Sequence, residues 1–225
     1  MWGYLELSEL PFKKLFIDLP GHGKSELNAN FDAPSLQFFV DEVRLVLNHL
    51  QITGFSVVGH SMGGYVAMLL KQQVEGCKKV ILLNSNFWSD SEQKKKDRVR
   101  VADIAFKAKS ILINESIPNL FENPADFRDE IEKLKSEAMK MSSEAIAYAS
   151  LAMRERTDFT DKVHSNPSYY FIIHGVNDRL VDSEEIKSRL KNEARYFQIQ
   201  DAGHMAHIEA PNSLSSVIQT LSKHL

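Results

Sequence analysis

At 225 residues and 43% hydrophobic, the chain is long enough for one sizeable core and short for two independent ones, so one domain with an insertion is expected. A formal net charge of -3 and a pI near 6.2 give no reason to expect nucleic acid or an anionic membrane as partner. No apolar run approaches bilayer-spanning length, Met1-Trp2-Gly3-Tyr4-Leu5-Glu6 lacks the pattern of a signal peptide, and a single cysteine, Cys77, excludes an intramolecular disulfide, so a soluble cytoplasmic protein is expected.

In chain order, Lys14 to Leu19 reads as a short buried strand, ended by the turn-forming cluster Pro20-Gly21-His22-Gly23. Leu36, Phe39, Val40, Val43, Leu47 and Leu50 recur at helical spacing and predict a helix laid on a sheet. Phe55 to Gly59 is a second strand, Tyr65 to Val74 a helix and Val80 to Leu83 a third strand. The alternation stops between Asn86 and Asp161, where helix-favouring segments such as Asp126 to Met141 and Ser143 to Glu155 follow one another. Within this stretch Lys94-Lys95-Lys96-Asp97-Arg98 reads as a solvated helix face. Tyr169 to Ile173 restores the strand pattern, followed by a helix from Ser183 to Lys191, a strand from Tyr196 to Ile199 and an amphipathic helix from Asn212 to Leu225. Strands alternating with amphipathic helices predict an α/β fold with a mostly parallel sheet and right-handed crossovers. The expected division is 1–86 and 162–225 as the two parts of the core, with 87–161 as a helical insertion.

Gly59-His60-Ser61-Met62-Gly63 joins a predicted strand directly to a predicted helix, a turn sharp enough to present Ser61 Oγ at its apex. The G-x-S-x-G pattern arises by chance in a chain of this length with a probability on the order of 0.1, so its surroundings decide its meaning. Three loops, carrying Ser61, Asp178 and His204, each follow a predicted parallel strand and open at the carboxyl edge of the sheet, where α/β proteins place their sites. A serine hydroxyl needs a base within hydrogen-bond reach, and an imidazole base needs a carboxylate to fix its tautomer and stabilise its charged form. His22, His60, His174 and His207 are other imidazoles, and Asp182 and Asp201 other carboxylates. Asp201 is too close in sequence to reach the far side of His204, Asp18 reads as a loop-fixing residue, and Asn84-Ser85-Asn86 offers no carboxylate. The histidines lack metal-ligand spacing such as H-E-x-x-H, so no metal or other cofactor is implied.

Asp18-Leu19-Pro20-Gly21-His22-Gly23-Lys24-Ser25, Gly59-His60-Ser61-Met62-Gly63-Gly64, His174-Gly175-Val176-Asn177-Asp178 and Ala202-Gly203-His204 together resemble the α/β-hydrolase family, in its capped esterase and menaquinone-pathway-synthase-like branch. The resemblance covers nearly the whole chain and is weakest in the helical insertion, which corresponds to the family's variable cap. It implies Ser61 as nucleophile, Asp178 as acid and His204 as base, with Met62 (through its backbone N–H) and His60 at the oxyanion and substrate-binding positions. A small acyl substrate would lie between sheet edge and cap. Serine at the elbow argues against the haloalkane-dehalogenase branch, which needs a carboxylate there. The same motifs admit a carbon-carbon bond hydrolase, a menaquinone-pathway-synthase-like lyase, or an inactive binding protein that keeps the fold.

The family also has an earlier strand, ending in a His-Gly loop that supplies one backbone N–H to the oxyanion hole. The chain begins too late for it, and Met1 to Leu10 resembles the helix that follows that loop. The expectations are a truncated N-terminus, a sheet re-paired or completed by a second copy, and Met62 N–H as the remaining family-type donor. One lost donor typically costs about 3 to 4 kcal/mol of transition-state stabilisation. Phe87, Trp88, Phe106, Phe121, Met139 and Met153 are candidates for cap core or pocket lining, with core favoured for most of them, and nothing in the sequence names the substrate.

Overall fold

The computed structural model describes residues 2–29, 31–191 and 195–224. A 3-10 turn at Trp2–Tyr4 opens the described chain, so the helix expected over Met1 to Leu10 is corrected to that single turn, with Met1 outside the described residues. Lys14 to Leu19 joins no ladder, and Leu15 and Phe16 stand 45% and 56% exposed. An apolar run becomes a strand only when a neighbour takes up its backbone groups, and no described strand lies beside this one.

Helix α1 (Leu36–His49) begins where Ser35 Oγ accepts the Gln37 N–H at 3.0 Å, and it buries Leu36, Phe39, Val40, Val43 and Leu47, the predicted stripe. Strand β1 (Phe55–His60), helix α2 (Met62–Gln73) and strand β2 (Cys77–Leu83) follow. Cys77 opens β2, where burial pushes its thiol up to about 11, away from the reactive thiolate. After the insertion come β3 (Tyr170–Gly175), α7 (Ser183–Arg189), β4 (Tyr196–Ile199), α8 (Ala206–Glu209) and α9 (Pro211–Ser222). The predicted end of the last helix at Leu225 lies outside the described residues.

The four strands among the described residues are all parallel, in the order β1-β2-β3-β4, with Val80, Ile81, Leu82 and Leu83 opposite Tyr170, Phe171, Ile172 and Ile173. Successive side chains point to opposite faces. Val80, Leu82, Tyr170 and Ile172 pack with Ala67 and Met68 of α2, whereas Ile81, Leu83, Phe171 and Ile173 pack with Leu214, Ile218 and Leu221 of α9. The central strands β2 and β3 are therefore covered on both faces, as a parallel sheet requires.

Between β2 and β3 the described chain is helical, with α3 (Glu92–Ser116), α4 (Arg128–Lys140), α5 (Ser143–Arg154) and α6 (Thr160–Ser165). Helix α3 is kinked at Ala108, and Lys94 to Arg98 lie on its first turns. Arg98 departs from the expected solvated face, because its Nε pairs at 3.0 Å with the buried Asp90 carboxylate. Asp90 also pairs with Arg156, which donates to the Trp88 carbonyl at 2.8 Å and the Asn86 amide oxygen at 3.2 Å and stacks over the Tyr65 ring at 4.2 Å. The start and the end of the insertion are thus held together and against α2. Phe87, Trp88 and Phe121 are buried as expected, whereas Phe106 is 53% exposed. Among the described residues no helix is long and apolar enough to cross a membrane.

Candidate active site

Ser61 stands between β1 and α2 with φ 52 and ψ -121, a left-handed backbone that a residue with a Cβ tolerates only when its surroundings enforce it. They do so through three bonds. Ser61 N–H donates to the Leu83 carbonyl at 3.1 Å, and its carbonyl accepts from Gly64 N–H at 2.9 Å and from Ser85 Oγ at 2.8 Å. Close approach also explains two glycines. A Cβ at Gly59 would lie 2.2 Å from the Gly63 carbonyl oxygen, and one at Gly64 2.3 Å from Ser85 Oγ. Gly63, the second glycine of the motif, has open space around it, so the steric demand falls on Gly64, one residue later.

The loop after β3 carries Asp178, a buried carboxylate with every lone pair in use. Oδ1 accepts from the Leu180 and Val181 backbone N–H groups at 2.8 and 3.2 Å. Oδ2 accepts from Asn84 Nδ2 at 3.0 Å and from His204 Nδ1 at 2.8 Å, and His174 Nε2 lies 3.3 Å away. Burial by itself would raise the Asp178 carboxyl, but the adjacent His174 imidazole, the bond from His204 with its charge, and the Asn84 amide outweigh it and hold the group well below the usual carboxylate range. With Nδ1–H committed to Asp178, His204 keeps Nε2 free as an acceptor, the tautomer a base requires.

His60 joins the serine turn to the histidine loop. Its Nε2–H donates to the His204 carbonyl at 2.8 Å, and its ring lies 4.9 Å from the rings of both His204 and His207. Burial first, and the neighbouring His204 second, lower the His60 imidazole to about 3. His60 Nε2, one of the two ring nitrogens at the expected substrate or oxyanion position, is thus spent on the His204 backbone. Met62 is the first residue of α2, so its N–H has no acceptor within that helix. The site therefore gathers Ser61, His60, Met62, Asp178 and His204, while His22 turns to the Pro20 carbonyl and the Asp182 carboxylate caps α7.

Four participants escaped the sequence reading. Asn84 holds Asp178 and also donates to the Gly203 carbonyl at 3.0 Å, Ser85 pins the serine turn, His174 flanks the carboxylate, and Glu209 binds the histidine loop. Asn84 has φ 45. An asparagine and a serine directly after an apolar strand were the available signal, and they carried more than the missing carboxylate suggested.

A family model of the alpha/beta hydrolase family matches residues 1–215. A serine hydrolase-like protein of Danio rerio is 41% identical over 70 residues, covering 31% of this chain and 22% of that protein. The dihydrolipoyllysine-residue acetyltransferase component of the acetoin cleaving system of Pseudomonas putida is 26% identical over 219 residues, covering 92% of this chain and 56% of that protein. The chain thus spans between about a fifth and just over half of the length of these curated relatives. Among solved structures, a thermophilic esterase from Thermogutta terrifontis superposes with a TM-score of 0.80 at 28% identity, over 92% of this chain and 78% of that one. With a parallel sheet, a strained serine turn at its carboxyl edge and a family match that runs over nearly its whole length, this chain belongs to the alpha/beta hydrolase family.

Proposed function

We propose that this chain is a serine hydrolase that cleaves an ester or related acyl substrate through an acyl-enzyme on Ser61. The observation that carries the reading is the 2.8 Å bond from His204 Nδ1 to the buried Asp178 carboxylate, in a loop that His60 ties to the strained turn bearing Ser61. The esterase likeness of the fold and the serine hydrolase-like relative point the same way.

In this reading His204 Nε2 takes the Ser61 hydroxyl proton as Oγ attacks the acyl carbon, and Asp178 stabilises the imidazolium that forms. The carbonyl oxygen becomes an oxyanion, to which the Met62 N–H donates. Collapse of the tetrahedral intermediate expels the alkoxide, which leaves with the proton from His204. Water then repeats the sequence on the ester carbon of the acyl-enzyme and restores Ser61.

Turnover of p-nitrophenyl butyrate and labelling by a fluorophosphonate probe test the proposal. Wild type should be labelled at Ser61, and Ser61→Ala should lose the label together with at least about a thousandfold in kcat. Equal turnover by Ser61→Ala, or a folded wild type that takes no label, would reject the reading.

A further inference from the structure

The three backbone N–H groups around His204 are all fixed by residues outside its own loop. Glu209 Oε2 accepts from Gly203 N–H at 2.9 Å and from Met205 N–H at 3.1 Å, and the His204 N–H itself donates to the Leu120 carbonyl at 2.8 Å. The other oxygen of Glu209, Oε1, accepts the Glu122 N–H at 2.6 Å. Leu120 and Glu122 lie between α3 and α4, in the helical insertion. One part-buried carboxylate thus grips the histidine loop with one oxygen and the insertion with the other.

The same insertion segment is seated by packing. Phe121 is fully buried in a cluster with Met205 and Ile208. Gly203 presses against the segment so closely that a Cβ there would lie 2.7 Å from the Glu122 nitrogen and 3.0 Å from the Leu120 oxygen. Glu122 reaches the acid loop as well, accepting from Asn177 Nδ2 at 2.6 Å on its carboxylate and from the Arg179 guanidinium at 3.1 Å on its carbonyl. Burial raises the Glu209 carboxyl above its ordinary value, the neighbouring Glu122 adds to the rise, and the three N–H bonds offset it only in part.

We infer that Glu209 is a positioning residue for His204, and that it makes the seating of the insertion segment Leu120–Glu122 a condition for the His204–Asp178 pair to form. The inference rests on the reading of His204 as the general base. Neither oxygen of Glu209 contacts a residue proposed to react through its side chain. Its effect passes through the peptide groups on either side of His204, where a shift of about 1 Å in a catalytic group can cost on the order of a hundredfold in rate.

Glu209→Gln is the informative variant, because an amide keeps the shape but offers only one acceptor oxygen. Whichever way it turns, either the histidine loop or the insertion faces an NH2 in place of an acceptor. Glu209→Asp keeps both oxygens on a shorter arm and should recover part of the loss. The readouts are kcat and KM for p-nitrophenyl butyrate, the acid limb of kcat/KM against pH, and the far-downfield imidazole N–H resonance of the His204–Asp178 bond. In Glu209→Gln, kcat should fall about ten- to a hundredfold with KM nearly unchanged. The acid limb should move to lower pH, since His204 loses part of its carboxylate support, and the resonance should broaden through faster exchange with water. A variant with the wild-type resonance, acid limb and kcat overturns the inference, as does a loss of kcat with resonance and acid limb unchanged. Because the resonance is read without turnover, it still decides the role of Glu209 if wild type hydrolyses no more ester than Ser61→Ala, a result that would defeat the esterase reading alone.

Discussion

Two imidazoles stand behind the proposed base and neither can carry a proton in the folded chain at neutral pH. Burial first, and the adjacent His204 second, bring His60 to about 3, and burial followed by the adjacent His60 holds His207 well below its ordinary value. In the unfolded chain both return to about 6.5. Below that pH the unfolded state takes up protons that the native state refuses, so stability present above about 6.5 is lost as pH falls towards the folded values, by on the order of 1.4 kcal/mol per histidine per pH unit. Urea unfolding midpoints at pH 7 and pH 5.5 should drop accordingly. His60→Gln, which keeps a side-chain N–H for the His204 carbonyl, should show a shallower drop, and an unchanged slope would refute the assignment. Ser61, Asp178 and His204 could be proposed from the sequence because nucleophile, acid and base chemistry restricts the residue types, and the structure pairs the last two. Asn84, Ser85, His174 and Glu209 were not, because they act through placement and any polar residue reads the same until the fold sets its neighbours.

The turn from β1 into α2 separates two glycines that look alike in the motif. Gly63 has free space beside it, so Gly63→Ala should leave stability unchanged or raise it by up to about 1 kcal/mol, the helix preference of alanine over glycine. Gly64→Ala drives a methyl into Ser85 Oγ, the group that holds the Ser61 carbonyl, and should cost about 1 to 3 kcal/mol. Thermal unfolding and the rate of fluorophosphonate labelling check both, with Gly64→Ala alone losing label. Elements with an uninterrupted apolar period, such as α1, β1 and Tyr196–Ile199, were readable to within a residue or two. Lys14 to Leu19 has the same apolar character but no described strand beside it, and strand formation depends on a neighbour that a local pattern cannot reveal.

Across the whole molecule, the alternation of strands and helices was enough to recover a parallel sheet with a helical insertion. How the insertion is fastened was not readable, because Arg156 with Asp90 and Glu209 with Glu122 are partners 66 and 87 residues apart. The sheet itself treats the proposed catalytic groups unequally. β3, which leads to Asp178, is buried at every position and flanked on both sides, whereas β1, which leads to Ser61, lies at one edge of the described sheet and is half-buried along most of its length. Native proteins open piecewise, and the segments with the least burial open at the lowest free energy. Amides of residues 55–60 should therefore take up deuterium well before those of 170–175, and equal protection of the two would contradict this. Ser61 is carried by the looser of these two strands, so gentle warming should silence the proposed nucleophile while the rest of the molecule is still folded.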